Sequence, residues 1–368
     1  MSAAPIPEML SPGATIGILG GGQLGRMLAM AAASLGLRCH VYSPDPQSPA
    51  FDVVRRMTLA EYGDEGALDR FAHEVDVVTY EFENVPAETA TFLASRRPVL
   101  PGPSVLATTQ DRLTEKTFVA DLGIATAPFA RVDAATDLSA ALAQIGRPAV
   151  LKSRRFGYDG KGQATIRDGT DLLAAWRDIG GRPGIVETFV DFEREISVVA
   201  ARDHAGRVEC FDVTENEHRD HILKTSRVPA RVAPATAAAA RRIAERIAAA
   251  VDYVGVLAVE MFVVRDGDGE AVLVNEIAPR VHNSGHWTLG GASVSQFEQH
   301  IRAIAGWPLA KPIRHGRIEM VNLIGAEVAD YARWLEIEGA AVHLYGKTSV
   351  RPGRKMGHVT RILPEPGS

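Results

Sequence analysis

From Ala14 to Ser43 the chain reads ATIGILGGGQLGRMLAMAAASLGLRCHVYS. A short apolar run, a cluster of glycines, an alanine-rich stretch at helical spacing and a second β-prone run follow in the order of a βαβ unit. The alternation continues through VDVVTYEFENV (75–85). That segment predicts another strand, whose acidic end lies where open parallel sheets receive their ligands. Residues 1–110 are therefore expected to form a Rossmann-like α/β unit.

Pro101 and Pro103 punctuate the chain, and the segment behind them predicts a fresh amphipathic helix that stops at Gly123. From residue 148 the pattern changes to short strands and hairpins: PAVLK, QATIR, GIVETFV, EISVVAAR and RVEC. In APATAAAARRIAERIAAAVDYVG, Ile243, Ile247, Val251 and Val254 share one helical stripe, with Arg242, Glu245 and Arg246 off it and Gly255 as its stop. VLAVEMFVV and AVLVNEIAP then predict a hairpin across RDGDGE, and the tail from Trp307 reads as a small appended, strand-prone unit.

At 368 residues the chain exceeds one ordinary domain of roughly 100–200 residues. Its 46% hydrophobic and 23% charged residues are those of a soluble globular protein, and a net charge of -5 offers no bulk attraction to nucleic acid or an anionic membrane. Cys39 and Cys210 lie far apart without CxxC spacing, which argues against a disulfide frame or zinc site and for a reducing cytoplasm. The first residues lack the basic-then-apolar order of a leader, and no apolar run approaches the ~20 residues of a membrane span.

Three patterns carry chemistry. Gly20-x-Gly22-x-x-Gly25 has the spacing that brings backbone to a phosphate at a helix N-terminus. Asp45, at the end of the second strand, sits where a dinucleotide fold keeps its ribose acid, but inside the proline-rich SPDPQSP. A dinucleotide, another phosphate and a structural turn all remain compatible. In the hairpin, a turn centred on Asp268 sets Glu260 and Glu276 face to face in an otherwise apolar ladder. Like charges so placed are destabilising, which calls for a shared proton or a cation. Hard oxygen donors without thiols suit Mg²⁺, whereas a shifted register would leave one glutamate exposed. Finally, Lys152 ends the strand AVLK just before RRFGYDGKGQ (154–163). A glycine-rich loop with lysines can close over phosphates and exclude water; a solvated turn is the plain alternative. No G-x-x-x-x-G-K-[ST] occurs.

VLKSRRFGYDGKGQ, IVETFVDFEREISV, VEMFV with VNEIAPRVHNSGHWT, and RPGRKMGHV, together with GGGQLGRM and YEFENV, resemble the ATP-grasp superfamily. Within it, they resemble the N5-carboxyaminoimidazole ribonucleotide synthetase family of purine biosynthesis, over residues 14–362. The resemblance implies an α/β and α+β architecture of three parts. These are a Rossmann-like pre-ATP-grasp domain (1–110), an ATP-grasp domain (111–305) with a glycine-rich lid in a subdomain at about 118–190, and a small C-terminal β-rich domain (306–368) completing the substrate site. ATP would lie between two antiparallel sheets.

By the same resemblance, Arg112 and Lys152 would contact phosphates, and Gly157, Tyr158, Asp159, Gly160, Lys161, Gly162 and Gln163 would form the lid. The backbone of Glu187, Thr188, Phe189 and Val190 would read adenine, and Glu195 would take the ribose hydroxyls. His218 and Asn275 would adjoin the nucleotide, although in a regular strand the Asn275 side chain faces away. Glu260 and Glu276 match the family's Mg²⁺ ligands. Gly22, Gln23 and Leu24 would seat the 5′-phosphate of 5-aminoimidazole ribonucleotide, with Glu81 on its ribose and Glu83 as second candidate. Asn283, Lys347, Arg354 and Lys355 would complete that site, with Lys152, Lys347, Arg354 and Asp159 in catalytic roles.

The implied reaction has bicarbonate attack the γ-phosphate of ATP, giving carboxyphosphate, which carboxylates the exocyclic amine while ADP and phosphate leave. The family habit is a homodimer, with no nucleic-acid or membrane partner. A formate-dependent ATP-grasp enzyme acting on glycinamide ribonucleotide shares most of these residues, but APRVHNSGHWT and GGGQLGRM favour the carboxylating branch. A nicotinamide oxidoreductase would use the glycine turn for NAD(P), and a nucleotide sensor would bind without turnover. Asp159 is the candidate to position the amine or accept its proton under the closed lid. Asp159→Asn is expected to cost more in product formation than in ATP binding; equal losses would remove its chemical role.

Overall fold

The computed structural model describes residues 9–157 and 160–364. Its strands β1 (Thr15–Leu19), β2 (Arg38–Ser43), β3 (Arg56–Leu59) and β4 (Val77–Tyr80) form a parallel sheet in the order β3-β2-β1-β4. The predicted βαβ opening is present, with α1 (Gln23–Ser34) starting directly behind the glycine turn. Gly20 takes φ +99°, and a Cβ on Gly22 would come within 2.6 Å of Glu81 Oε1, so the turn needs its glycines for conformation and for space. Strand β3 was not anticipated, because its RMTL lies on the sheet edge, mostly exposed, and lacks an apolar pattern.

After α2 (Glu65–His73) and α3 (Ala87–Ala94), the proline-marked segment holds two helices rather than one: α4 (Pro103–Thr109) and α5 (Arg112–Asp121). Asp111 makes the break. Its carboxylate accepts from the N–H groups of Leu113 and Thr114 at 3.0 and 3.3 Å, an N-cap that starts α5 afresh. A four-stranded antiparallel sheet follows, built from β5 (Phe129–Val132), β6 (Ala149–Ser153), β7 (Gln163–Ile166) and β8 (Gly184–Thr188) in the order β5-β8-β6-β7. Its apolar face packs on α6 (Leu138–Ile145) and α7 (Leu172–Asp178).

The large sheet comprises β9 (Arg194–Arg202), β10 (Val208–Cys210), β11 (Thr214–Arg219), β12 (Ile222–Val228), β13 (Gly255–Asp266), β14 (Gly269–Ala278), β15 (Arg317–Ile324), β16 (Ala340–Leu344) and β17 (Lys355–Leu363). Their order is β14-β13-β9-β11-β12-β15-β17-β16, with β10 beside β9. The strands of the C-terminal unit thus extend the large sheet rather than forming one of their own. Thr225 of β12 pairs with Val321 of β15, and the C-terminal strands prolong the same ladder. The helix α8 (Pro234–Ala250) ends before the expected stop at Gly255 and buries Thr236, Ala240, Ala244, Ile247 and Ala248. The predicted stripe does pack, with Ile247 and Val254 buried and Ile243 and Val251 partly buried against the core, and alanines widen the packed face so that the helix lies close on the sheet. No described helix is long and apolar enough to cross a membrane.

After α9 (Thr288–Gly291), α10 (Gln296–Ile304) joins the parallel sheet to the large one through the buried His300. One ring nitrogen lies 2.8 Å from Thr79 Oγ1, and the other accepts from the N–H of Val256 at 3.0 Å. An accepting nitrogen requires a neutral ring, and burial pushes the imidazole down to about 3. Unfolded histidine titrates near 6.5, so the stability this ring contributes is present above that value and declines as pH falls below it. Urea unfolding should show the wild type losing about 2 kcal/mol more than His300→Gln between pH 7 and pH 5. Equal losses would mean that the ring is not held neutral.

Candidate active site

Side chains alternate faces along a strand, so cross-strand register decides which groups meet. Asn216 of β11 pairs with Glu195 of β9, and Glu260 of β13 pairs with Ser197, which puts all four on one face of the large sheet. On the small sheet Glu187 pairs with Val150, so Glu187 shares a face with Lys152. Between the sheets lies a cavity of about 1240 Å³, lined by Lys152, Glu187, Glu195, Glu260 and Glu276 among others.

Glu260 does face Glu276, by a route the sequence hid. Asp266 pairs with Gly269, so the turn centres between Gly267 and Asp268, and continuing that register from Met261↔Val274 would set Glu260 opposite Asn275. A β-bulge takes up Asn275 and restores the acid pair. The bulge also corrects the expectation for Asn275: its side chain lines the cavity, and its Oδ1 is buried without a partner.

The two acids differ electrostatically. Arg112 Nη1 lies 2.9 Å from Glu276 Oε2. Burial alone would raise the Glu276 carboxyl, but the Arg112 guanidinium outweighs it and holds the group well below the usual range. Burial first, then the charge of Glu276, raise Glu260. His282 Nε2 stands 3.5 Å from Glu260, and burial, helped by Arg280, pushes this imidazole down to about 3. Two carboxylates and an unpartnered amide oxygen are hard donors that fit Mg²⁺. Among the described residues no group of three or more acidic, histidine or cysteine side chains could hold a metal. The remaining ligands would come from phosphate and water, as Mg²⁺ prefers.

Glu187 is nearly buried and serves two lysines: Lys152 Nζ at 3.0 Å and Lys116 Nζ at 3.5 Å. Beyond it, Thr188, Phe189 and Val190 line the cavity, but the N–H groups of Thr188 and Phe189 are already donated to Pro128 and Pro148 carbonyls at 2.9 and 3.1 Å. Phe192 and Phe262 stack at 4.7 Å on the same wall. Glu195 and His218 meet at 2.5 Å; burial lowers the imidazole's proton affinity, but the carboxylate more than offsets this.

Gly157, Gly160, Lys161 and Gln163 of the glycine loop line the cavity, while Gly162 turns against Ser153, whose Oγ would lie 2.6 Å from an added Cβ. Tyr158 and Asp159 lie outside the described residues. The two arginines that open the loop anchor its base: Arg154 pairs with Asp111 at 2.8 Å, and Arg155 donates to Gln110 at 2.9 Å.

At the other end, Gln23 and Leu24 line the cavity, and Glu81 accepts from the N–H groups of Gly22 and Gly25 at 2.8 and 3.3 Å. A carboxylate thus caps α1 at the glycine turn. Glu83 pairs with Arg280. Asn283 reaches the cavity with both side-chain polar atoms buried and unpartnered. Lys355 lines the wall, whereas Lys347 and Arg354 are not among the lining residues; Lys347 donates to the Lys355 carbonyl at 2.7 Å and Arg354 to the Ser349 carbonyl at 2.9 Å. Arg280 and His282 lie within the VNEIAPRVHNSGHWT motif but carry no local signal of a site role. Glu115 and Lys116 of α5 and the Phe192–Phe262 stack look, from sequence, like ordinary helix and core residues.

Three family descriptions match the chain in order: a ribonucleotide synthetase preATP-grasp domain over residues 13–110, an ATP-grasp domain over 117–297, and a phosphoribosylaminoimidazole carboxylase C-terminal domain over 319–367. N5-carboxyaminoimidazole ribonucleotide synthase of Brucella melitensis is 52% identical over 357 residues, covering 96% of this chain and 98% of the relative. A crystal structure of an ADP complex of N5-carboxyaminoimidazole ribonucleotide synthetase superposes with a TM-score of 0.92 at 40% identity, covering 96% of this chain and 93% of that one. The Aspergillus clavatus synthase, in complex with ADP and 5-aminoimidazole ribonucleotide, gives 0.88 at 31% identity, with 96% and 94% covered.

The raised Glu260 carboxyl stabilises the ligand-free fold at low pH, a contribution lost as pH rises through its folded value. Glu260→Gln mimics the protonated form. Without ligands the variant should melt about 2 °C above wild type at pH 8, with the gap closing toward pH 5. A gap that widens toward acid would contradict the electrostatics described above.

Proposed function

Since the chain belongs to the N5-carboxyaminoimidazole ribonucleotide synthetase family of ATP-grasp enzymes, we infer from its cleft how it carries out that family's carboxylation. It is a ligase of purine biosynthesis. It joins bicarbonate to the amine of 5-aminoimidazole ribonucleotide, using ATP and releasing ADP and phosphate.

Our assignment of residues rests on one observation: two facing carboxylates stand across the cavity from Lys152. ATP occupies the space between the sheets with its triphosphate toward that acid pair. Glu260 and Glu276 would hold Mg²⁺ with Asn275 Oδ1 beside them; when bound, the ion neutralises charge on the transferring phosphoryl group. Lys152, Arg112 and the lid lysine Lys161 supply the remaining positive charge. Donation to the base falls to Val190, because the neighbouring N–H groups are engaged. The Phe192–Phe262 stack supports an aromatic ring at the same end.

Arg280 and neutral His282 stand beside the acid pair, where bicarbonate must approach the γ-phosphate. The guanidinium draws the anion in, and the uncharged imidazole can hydrogen-bond without adding charge. The ribonucleotide takes the far end, toward Gln23, Glu81, Asn283 and Lys355. Unpartnered Asn283 atoms support a ligand there, while the Glu81 cap favours contact with sugar hydroxyls over phosphate. Closing the glycine loop keeps water from the mixed anhydride. We read the chain as domains 1–110, 111–305 and 306–368, a division the three family matches support. We also read it as a cytoplasmic homodimer. The unpaired Cys39 and Cys210 support a reducing compartment.

ADP release should require bicarbonate and rise with 5-aminoimidazole ribonucleotide, while formate with glycinamide ribonucleotide gives none. Glu276→Gln should lower that release by on the order of 10²–10³-fold with the melting profile retained. Turnover preserved in the variant would remove the metal assignment.

A further inference from the structure

Lys116 takes no part in the reaction as read above, yet its ammonium sits at a junction. Its side chain is 2% exposed, a rare state for a lysine and one that demands complete pairing. Nζ donates to Thr126 Oγ1 at 2.9 Å and to the Val274 carbonyl at 3.2 Å, and it lies 3.5 Å from Glu187 Oε2. Val274 is the residue just before the bulge that brings Glu276 opposite Glu260. Glu187 is the carboxylate that also holds Lys152, 3.0 Å away. One buried cation therefore touches the strand of the acid pair and the partner of the phosphate-facing lysine.

The charges decide what this junction does. Glu187 carries one negative charge between two ammoniums, and its own Oε1 is buried without a hydrogen bond. With Lys116 present, the cluster keeps one net positive charge. Were Lys116 absent, Glu187 and Lys152 would close into a neutral pair, and Lys152 would be drawn back from the cavity it lines. We propose that Lys116 is a positioning residue, a counter-cation to Glu187 that leaves the Lys152 charge available to the phosphates of bound ATP. Lys116 touches no substrate and acts only through Glu187 and Lys152. The proposal rests on the reading of the cleft as the ATP site.

Calorimetric titration with MgATP, alongside melting curves, tests it in the full chain. Lys116→Met is expected to weaken MgATP binding by about tenfold. Adding Glu187→Gln to that variant restores the wild-type net charge of the cluster and should bring affinity back to within about threefold of wild type. A simple loss of packing would not respond in this way. Unchanged affinity in Lys116→Met, or a loss that Glu187→Gln fails to repair, overturns the proposal. If Lys116→Met does not fold, the double variant is read alone: near-wild-type affinity supports the counter-cation role, and a tenfold or larger loss overturns it. Failure of the wild type to bind MgATP would instead undo the reading of the cleft.

Discussion

Two glutamates from adjacent strands cannot face each other inside an apolar ladder unless something offsets their repulsion, and most of the cleft follows from that constraint. Arg112 neutralises Glu276 from one side, while burial holds the Glu260 carboxyl toward its protonated form. The pair is thus tolerated without ligand, yet remains poised for a stronger cation. In the proposed reading, a divalent ion with a triphosphate would replace that strained compromise by fuller neutralisation, so binding energy would be gained where the phosphoryl group must move.

The elements around the pair are arranged to serve it. Asp111 interrupts what would have been one long helix, and the restarted α5 aims Arg112, Glu115 and Lys116 from its first turns. The same carboxylate clamps Arg154, so the base of the glycine loop is tied to the helix that supplies Arg112. On the small sheet a single buried glutamate organises two lysines. Most of these charges are held in fixed positions before ATP arrives, so little reorganisation remains when it binds.

Much of this was legible in the chain. The βαβ opening, the change to hairpins after residue 148 and the facing glutamates follow from periodicity and turn chemistry. The details that escaped are those set by tertiary contact. No local pattern reveals the bulge at Asn275, which compensates a turn one half-step from its expected centre. Asp111 is a capping type, but the apolar spacing runs through it, so the break in the helix was invisible. The pairing of β15 with β12 links residues about a hundred positions apart, and sequence spacing carries no trace of it. Arg280 and His282 could be read as residue types; only the fold shows that both line the cavity, with His282 beside Glu260 and Arg280 paired with Glu83.

That long-range pairing has a mechanical meaning. Because hydrogen bonds run unbroken from β14 through β12 to β17, the acid pair and Lys355 are fixed on a single plate. The spacing between the acid pair and Lys355 is therefore set by the strand ladder itself. The four-stranded sheet shares no strand ladder with that plate among the described residues and faces the acid pair across the cavity as a separate wall.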